Sequence, residues 1–397
     1  MMNNQRGIAL IVTLLVVTLL TITVVEFTYS VLVDQQLVHN SLSAMQAQLL
    51  ARAGVNFGEA LLARDTNDPP ADWYFEDWAH PDVASVIELD PGDRLEVRVL
   101  DETGKININR TRPPRGAPPP QPGQPNLSPD AFIRDALKRL FEANEVDVQI
   151  PDRMLQYWAE TLPPLPGQQQ PQPVEDFRSV EDFGALFGIP ASKLTKLRRY
   201  ITAIPTNLIV NGRPSGIGNR ININTAPGMV LAAVINDAGR VQAILQRQGA
   251  EQPIQAADLN GIMQGIQYQA QIVPLFGFTS ALFRVCASAQ VSGDPTGQRP
   301  GGIGQTVVAL VLRQPLAGVP ANAPAGVPRW TLTPLDWQKR GGAALLAAVP
   351  SPDGGSQSLD GRLDNGSLGG GSLGNGSLGN ASNDANGEST AAEDACS

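Results

Sequence analysis

The chain has 397 residues, enough for two or three compact units, and its 39 Gly, 33 Pro and 17% charged residues favour small domains joined by loops. A formal charge of -9 argues against non-specific binding to nucleic acid, which needs clustered Lys and Arg for the phosphates. Cys286 and Cys396 lie far apart and the only histidines are His39 and His80, so a disulfide framework, a thiolate metal site and histidine-based triad chemistry all lack material.

Residues 1–7 are short and polar, with Arg6 their only charge, and Ile8 opens an apolar run that reaches Val25 with only threonines as interruptions. About 18 such residues span ~27 Å as a helix, close to the hydrocarbon thickness of a bilayer. Arg6 on the short side predicts that this end stays in the cytoplasm and the bulk of the chain crosses to the periplasm.

An ordinary signal peptide would stop being helical after its apolar stretch. Here the pattern continues: Val38, Leu42, Met45, Leu49, Ala53, Phe57 and Ala60 recur at steps of three and four, the spacing of one helix face. The expectation is one helix over 8–64, with 8–29 in the membrane and the rest laid on a globular head, ended by Asp65, Asn67, Asp68, Pro69 and Pro70. Glu26 falls near the outer lipid boundary, as a solvated or snorkelling side chain.

From 65 to 109 the text turns to short β-like pieces, with Leu95, Val97 and Val99 in alternation before the turn Asp101-Glu-Thr-Gly104. A Pro/Gly/Gln-rich linker occupies 110–127. A helical region follows over 128–275, opened by Ser128 or Asp130 as a cap, with helices expected at 151–161, 180–187, 191–203, 226–236 and 241–248. Strands return over 276–340, at 276–291, 304–312 and 330–335, so the helical region reads as an insertion into one sheet. From 341 the chain is Gly/Ser/Asn-rich and too poor in apolar surface to repay ordering, a disordered tail. Its Gly370-Gly-Ser-Leu-Gly374 matches a hydrolase pattern but follows no strand, and no credible catalytic constellation occurs elsewhere.

Two near-copies stand out: Lys105-Ile-Asn-Ile-Asn-Arg110 and Arg220-Ile-Asn-Ile-Asn-Thr-Ala-Pro227. Alternating Ile and Asn suits a half-buried strand end, with Asn107, Asn109, Asn222 and Asn224 as turn and cap ligands. Asn224 or Thr225 would cap a helix starting at Pro227. Between the copies, residues 179–190 followed by Leu194, Leu197 and Ile201 resemble a helix-hairpin-helix unit, with Gly188 and Pro190 at the tight turn. Such units bind DNA backbone or pack proteins; the cations here are Lys193, Lys196, Arg198 and Arg199.

The Gly7-Ile8 junction, Val12, the segment 101–109, the hairpin at Gly188 and the segment 221–227 together resemble the K-type minor pseudopilins of type II secretion systems, over roughly residues 5–314. That resemblance implies an α+β, pilin-like fold: a long N-terminal transmembrane and amphipathic helix on a small antiparallel sheet, with a large all-α domain inserted between strands. It implies no enzymatic activity. It implies cleavage by a prepilin peptidase between Gly7 and Ile8 and methylation of the new amine; an uncleaved anchor is the alternative.

Most family members carry Glu where this chain has Val12. A carboxylate in lipid is costly unless paired, and in the family it is thought to meet the amine of the neighbour nearer the tip, so Val12 indicates a tip position. The implied role is at the tip of a periplasmic pseudopilus, supporting export of folded proteins across the outer membrane. The implied partners are I- and J-type minor pseudopilins, the major pseudopilin and the inner-membrane secretion platform. Calcium is the one cofactor the resemblance suggests, with Asp90, Asp93, Asp101 and Asp294 as hard oxygen ligands or, in the plain reading, solvated turn aspartates. The alternative from another class is a membrane-tethered DNA receptor using the hairpin at Gly188.

Overall fold

The computed structural model describes residues 3–65, 71–79, 86–89, 93–114, 127–162, 172–206, 209–210, 213–214, 216–250, 252–292, 302–316 and 330–341. The Pro/Gln-rich loops and the tail fall largely or wholly outside them.

Helix α1 runs over Asn3–Arg64, so residues 3–7, expected as part of a leader, are continuous with the helix rather than preceding it. Strands β1 (Val86–Glu88) and β2 (Arg94–Asp101) follow, then the short β3 (Ile106–Asn107). Helices α2 (Pro129–Ala143), α3 (Ile150–Ala159), α4 (Val180–Phe187) and α5 (Ala191–Leu197) lead to β4 (Ile201–Thr202) and β5 (Ile221–Asn222). After α6 (Gly228–Ile235), α7 (Ala238–Gln248), α8 (Ala256–Ile262) and α9 (Gln269–Ile272) come β6 (Phe276–Gly277), β7 (Leu282–Ser292), β8 (Gly302–Pro315) and β9 (Trp330–Gly341).

The main sheet has the order β1-β2-β7-β8-β9, antiparallel throughout, so strands from before and after the helical region share one sheet. Alternate residues of β2, β7 and β8, among them Leu95, Val97, Val99, Val285, Ala287 and Ala309, form one buried face against α1. The fold is α+β, a long apolar helix on an antiparallel sheet with a mainly helical insert.

The packing face of α1 is not the expected one. Val38, Leu42, Met45 and Leu49 are all more than half exposed, and Ala53, Phe57 and Ala60 also face outward. The sheet is met instead by Ser43, Ala47, Ala51, Gly54, Val55, Gly58, Leu61 and Leu62. At about 100° per residue these lie roughly opposite the Val38–Leu49 stripe. The physical reason is closeness: a Cβ at Gly54 would stand 2.8 Å from Ala287 Cβ, and one at Gly58 would stand 2.5 Å from Val285 Cγ1. Small residues let the helix backbone approach the sheet; a Leu/Met stripe would hold it off.

The insert is built from the same unit twice. In the first copy β3 pairs in parallel with β4, and in the second β5 pairs in parallel with β6. Asn109 accepts the Phe177 N–H at 2.9 Å and donates to the Phe177 carbonyl at 2.9 Å. Asn224 treats Ile254 alike, accepting its N–H at 2.7 Å and donating to its carbonyl at 3.3 Å. In both copies the first Asn turns its Oδ1 to the N–H of the second, at 3.2 Å for Asn107 and 3.0 Å for Asn222. Each clamped residue precedes a helix followed by a left-handed glycine: Gly188 at φ 67° is the C-cap of α4, and Gly265 at φ 76° lies just past α8, whose C-cap is Met263. Gly188 and Gly265 each stand at the same spacing from their clamped residue and are followed by isoleucine.

Thus α8 and α9 form a second hairpin, absent from the helices expected from sequence. The structure also reassigns the caps. The helix after the second motif has Pro227 at its N-cap with no side-chain cap bond, because Asn224 is committed to Ile254 and Thr225 to Asp101. Ser128 makes no capping bond to α2, and Asp130 pairs with Arg134 at 2.6 Å; Ser179 does cap α4.

Candidate assembly surface

The N-terminal half of α1 is apolar, with an 18-residue window of mean hydropathy 2.5, and none of the described residues buries that window. By length and composition it can cross a membrane. Its threonines do not spoil that surface. The hydroxyls of Thr13, Thr18, Thr21 and Thr23 each donate to a carbonyl three or four residues back, at 2.8–2.9 Å, so their polarity is satisfied within the helix. Gly7 and Ile8 lie in the second turn of α1, and Val12, one turn further, is exposed.

Beyond the apolar span the Val38–Leu42–Met45–Leu49 stripe continues the outward apolar surface along the helix flank that the sheet leaves bare. Large side chains at steps of four, three and four are the spacing by which one helix packs on another.

Of the four carboxylates considered for calcium, Asp90 and Asp294 lie outside the described residues. Asp93 and Asp101 flank opposite ends of β2, roughly 26 Å apart at 3.3 Å per residue, too far to share an ion. Both have protein donors. Asp93 accepts the Ser292 N–H at 2.8 Å. Asp101 Oδ1 accepts from the N–H and hydroxyl of Thr103, and its Oδ2 accepts from Thr225, Ser280 and Asn222. The described residues of this set therefore do not fit a calcium site. Asp101 instead joins sheet to insert, with Tyr74 donating to the Thr225 carbonyl nearby at 2.5 Å.

A charged cluster that sequence reasoning missed lies at the same junction. Arg313 on β8 is 2% exposed and bonds both Asp65, just past α1, and Asp72. Glu76 stands close by, accepting from Trp78 Nε1 at 2.6 Å and from the Trp73 N–H at 3.2 Å. Burial raises the Asp72 carboxyl to about 6 against the pull of Arg313. Burial, then Asp65 and Asp72, raises that of Glu76 to about 8. No sequence signal links residues some 240 positions apart. A second buried group, Glu102, bonds Lys105 at 2.8 Å and Arg284 at 2.7 Å. Burial opposes its charge, but Arg284 and Lys105 outweigh that and hold it at about 2.

In the hairpin at Gly188 the glycine is left-handed and open to solvent on its Cβ side. Its cations are less available than the sequence suggested: Lys193 reaches Glu145 at 3.3 Å and Arg198 reaches Glu181 at 2.5 Å.

No family model matches the chain. It is similar to the type II secretion system protein K of Pseudomonas aeruginosa, 28% identical over 278 residues that cover 63% of this chain and 74% of that protein. Among solved structures it is similar to a chain of the GspK-GspI-GspJ complex from the enterotoxigenic Escherichia coli type 2 secretion system. That likeness has a TM-score of 0.48 at 16% identity, covering 75% of this chain and 97% of the other.

Proposed function

We propose that this chain is a minor pseudopilin of the K type, a non-enzymatic assembly subunit anchored in the inner membrane by α1 with its bulk in the periplasm. The observation that carries the reading is the outward face of α1. It is apolar from Ile8 into lipid-spanning length and continues past it as the exposed Val38–Leu49 stripe, on the side away from the sheet. An apolar stripe in water costs roughly 25 cal/mol per Å² left uncovered, so a helix that keeps one exposed on its own head is suited to packing in a bundle. The similarity to a type II secretion protein K supports the same reading.

In this reading a prepilin peptidase cuts between Gly7 and Ile8 and the new amine is methylated. Val12 leaves no carboxylate for a neighbour's amine, so the subunit sits at the tip of the pseudopilus. It meets I- and J-type minor pseudopilins, then the major pseudopilin and the inner-membrane platform, and supports export of folded proteins across the outer membrane. The stripe is the surface for the partners' helices.

The test is co-purification of the full chain, in detergent, with I- and J-type minor pseudopilins. A stable complex is expected. No complex with either, together with unimpaired secretion in a strain lacking the gene, overturns the proposal. Two of the four cations that the DNA-receptor reading would draw on, Lys193 and Arg198, are paired with carboxylates.

A further inference from the structure

The Arg313 cluster is short of positive charge. Asp65, Asp72 and Glu76 each offer an oxygen within 4.8 Å of the other two, and the one guanidinium beside them pairs with Asp65 and Asp72 only. That guanidinium is shut between the rings of Phe283, 4.7 Å away, and Trp330, 4.4 Å away, so solvent does little to screen it. Carboxylates this close, away from water, do not all ionise together; one takes a proton instead.

Every element at the junction contributes a group. The end of α1 supplies Asp65, whose carbonyl accepts from Trp330 Nε1 of β9 at 2.9 Å. The 71–79 segment supplies Asp72 and Glu76, and β8 supplies Arg313, which also donates to the Ser280 carbonyl at 3.0 Å. The chain leaving the insert supplies backbone: the Phe278 carbonyl accepts the Asp72 N–H at 2.8 Å, and the Ser280 N–H donates to the Asp72 carboxylate. The next charge outward, Asp101, reaches the cluster through the Ser280 hydroxyl and through the Asn222 amide, which also donates to the Asp72 carbonyl at 2.9 Å.

We propose that Asp65, Asp72 and Glu76 hold at least one shared proton around Arg313 near neutral pH, and that this protonated cluster is a pH-sensitive latch joining helix, sheet and insert. The direction follows from proton linkage. Asp72 and Glu76 bind protons more tightly folded than unfolded, so their contribution is complete below the ordinary carboxyl range. It is lost as pH rises, through about 6 for Asp72 and about 8 for Glu76. Between those two values Asp72 has already lost its contribution and Glu76 is still losing its own.

The experiment uses the full chain in detergent, with thermal unfolding and the infrared band of protonated carboxyls followed from pH 5 to pH 9. In the wild type the Tm falls by a few degrees from pH 6 to pH 8 and then levels, while the last carboxylic-acid band disappears over the same step. Glu76→Gln keeps an oxygen to accept from Trp73 and Trp78, and it flattens the Tm and removes the band's last step. An unchanged step in Glu76→Gln overturns the proposal. Should that variant not fold, Asp65→Asn decides: with one neighbouring charge gone the step must move to lower pH, and an unmoved step overturns the latch. This inference does not rest on the assembly role, and either can fail alone.

Discussion

Asn224 shows how a residue readable as a turn former becomes a clamp. Its amide satisfies both the N–H and the carbonyl of Ile254, which is buried, and Asn109 does the same for Phe177, whose ring stacks on Tyr157 at 5.0 Å. Removing the amide leaves two buried backbone groups unpaired, each costing about 1–3 kcal/mol. Asn224→Ala is therefore expected to lower stability by roughly 2–4 kcal/mol, read as an earlier denaturation midpoint. Asn224→Asp is expected to be no better, since a carboxylate cannot donate to the Ile254 carbonyl. The repeat of Ile-Asn-Ile-Asn was visible in the sequence. Which backbone each Asn would hold was not, because Phe177 and Ile254 are distant in sequence and carry no mark of being clamped.

At the scale of elements, α1 divides its faces between two tasks. The small face meets the sheet at contact distance, so Gly58→Val places a methyl-bearing carbon where Val285 already is. Overpacking of this kind costs typically ~1–3 kcal/mol, and the expected outcome is a lowered Tm with the helix still formed by circular dichroism. The opposite face behaves in the reverse sense. Met45→Ser with Leu49→Ser is expected to change stability by less than about 0.5 kcal/mol per site, since both side chains are exposed, while weakening co-purification with partner pseudopilins. Periodicity found the stripe correctly and assigned it to the wrong neighbour. Hydrophobicity ranks Leu and Met above Gly, Ala and Ser, but against a flat sheet the nearest approach belongs to the smaller residues. The spacing Ser43, Ala47, Ala51, Gly54, Gly58 is the signal that would have revealed it.

For the whole molecule, topology brings β2 and β7 together across the entire insert, and the junction carries most of the buried charge described above. The anchor belongs to this scale too, since it sets where the head resides. Gly7→Leu is expected to leave the seven leader residues attached, seen as a heavier mature chain by intact-mass spectrometry. A mature mass differing only by the substitution would refute the proposed processing.

The sequence by itself determined the membrane-length helix, the α+β character and the placement of the insert between strands. These depend on local composition, periodicity and backbone allowance, which act over a few residues and need no partner. Tertiary structure decided which face of α1 meets the sheet, the pairing of the two Asn motifs into one repeated unit, the second hairpin at Gly265 and the gathering of Asp65, Asp72 and Glu76 on Arg313. Each of these rests on which surfaces approach most closely and on charges drawn from separate segments. Distances of that kind exist only once the chain has folded.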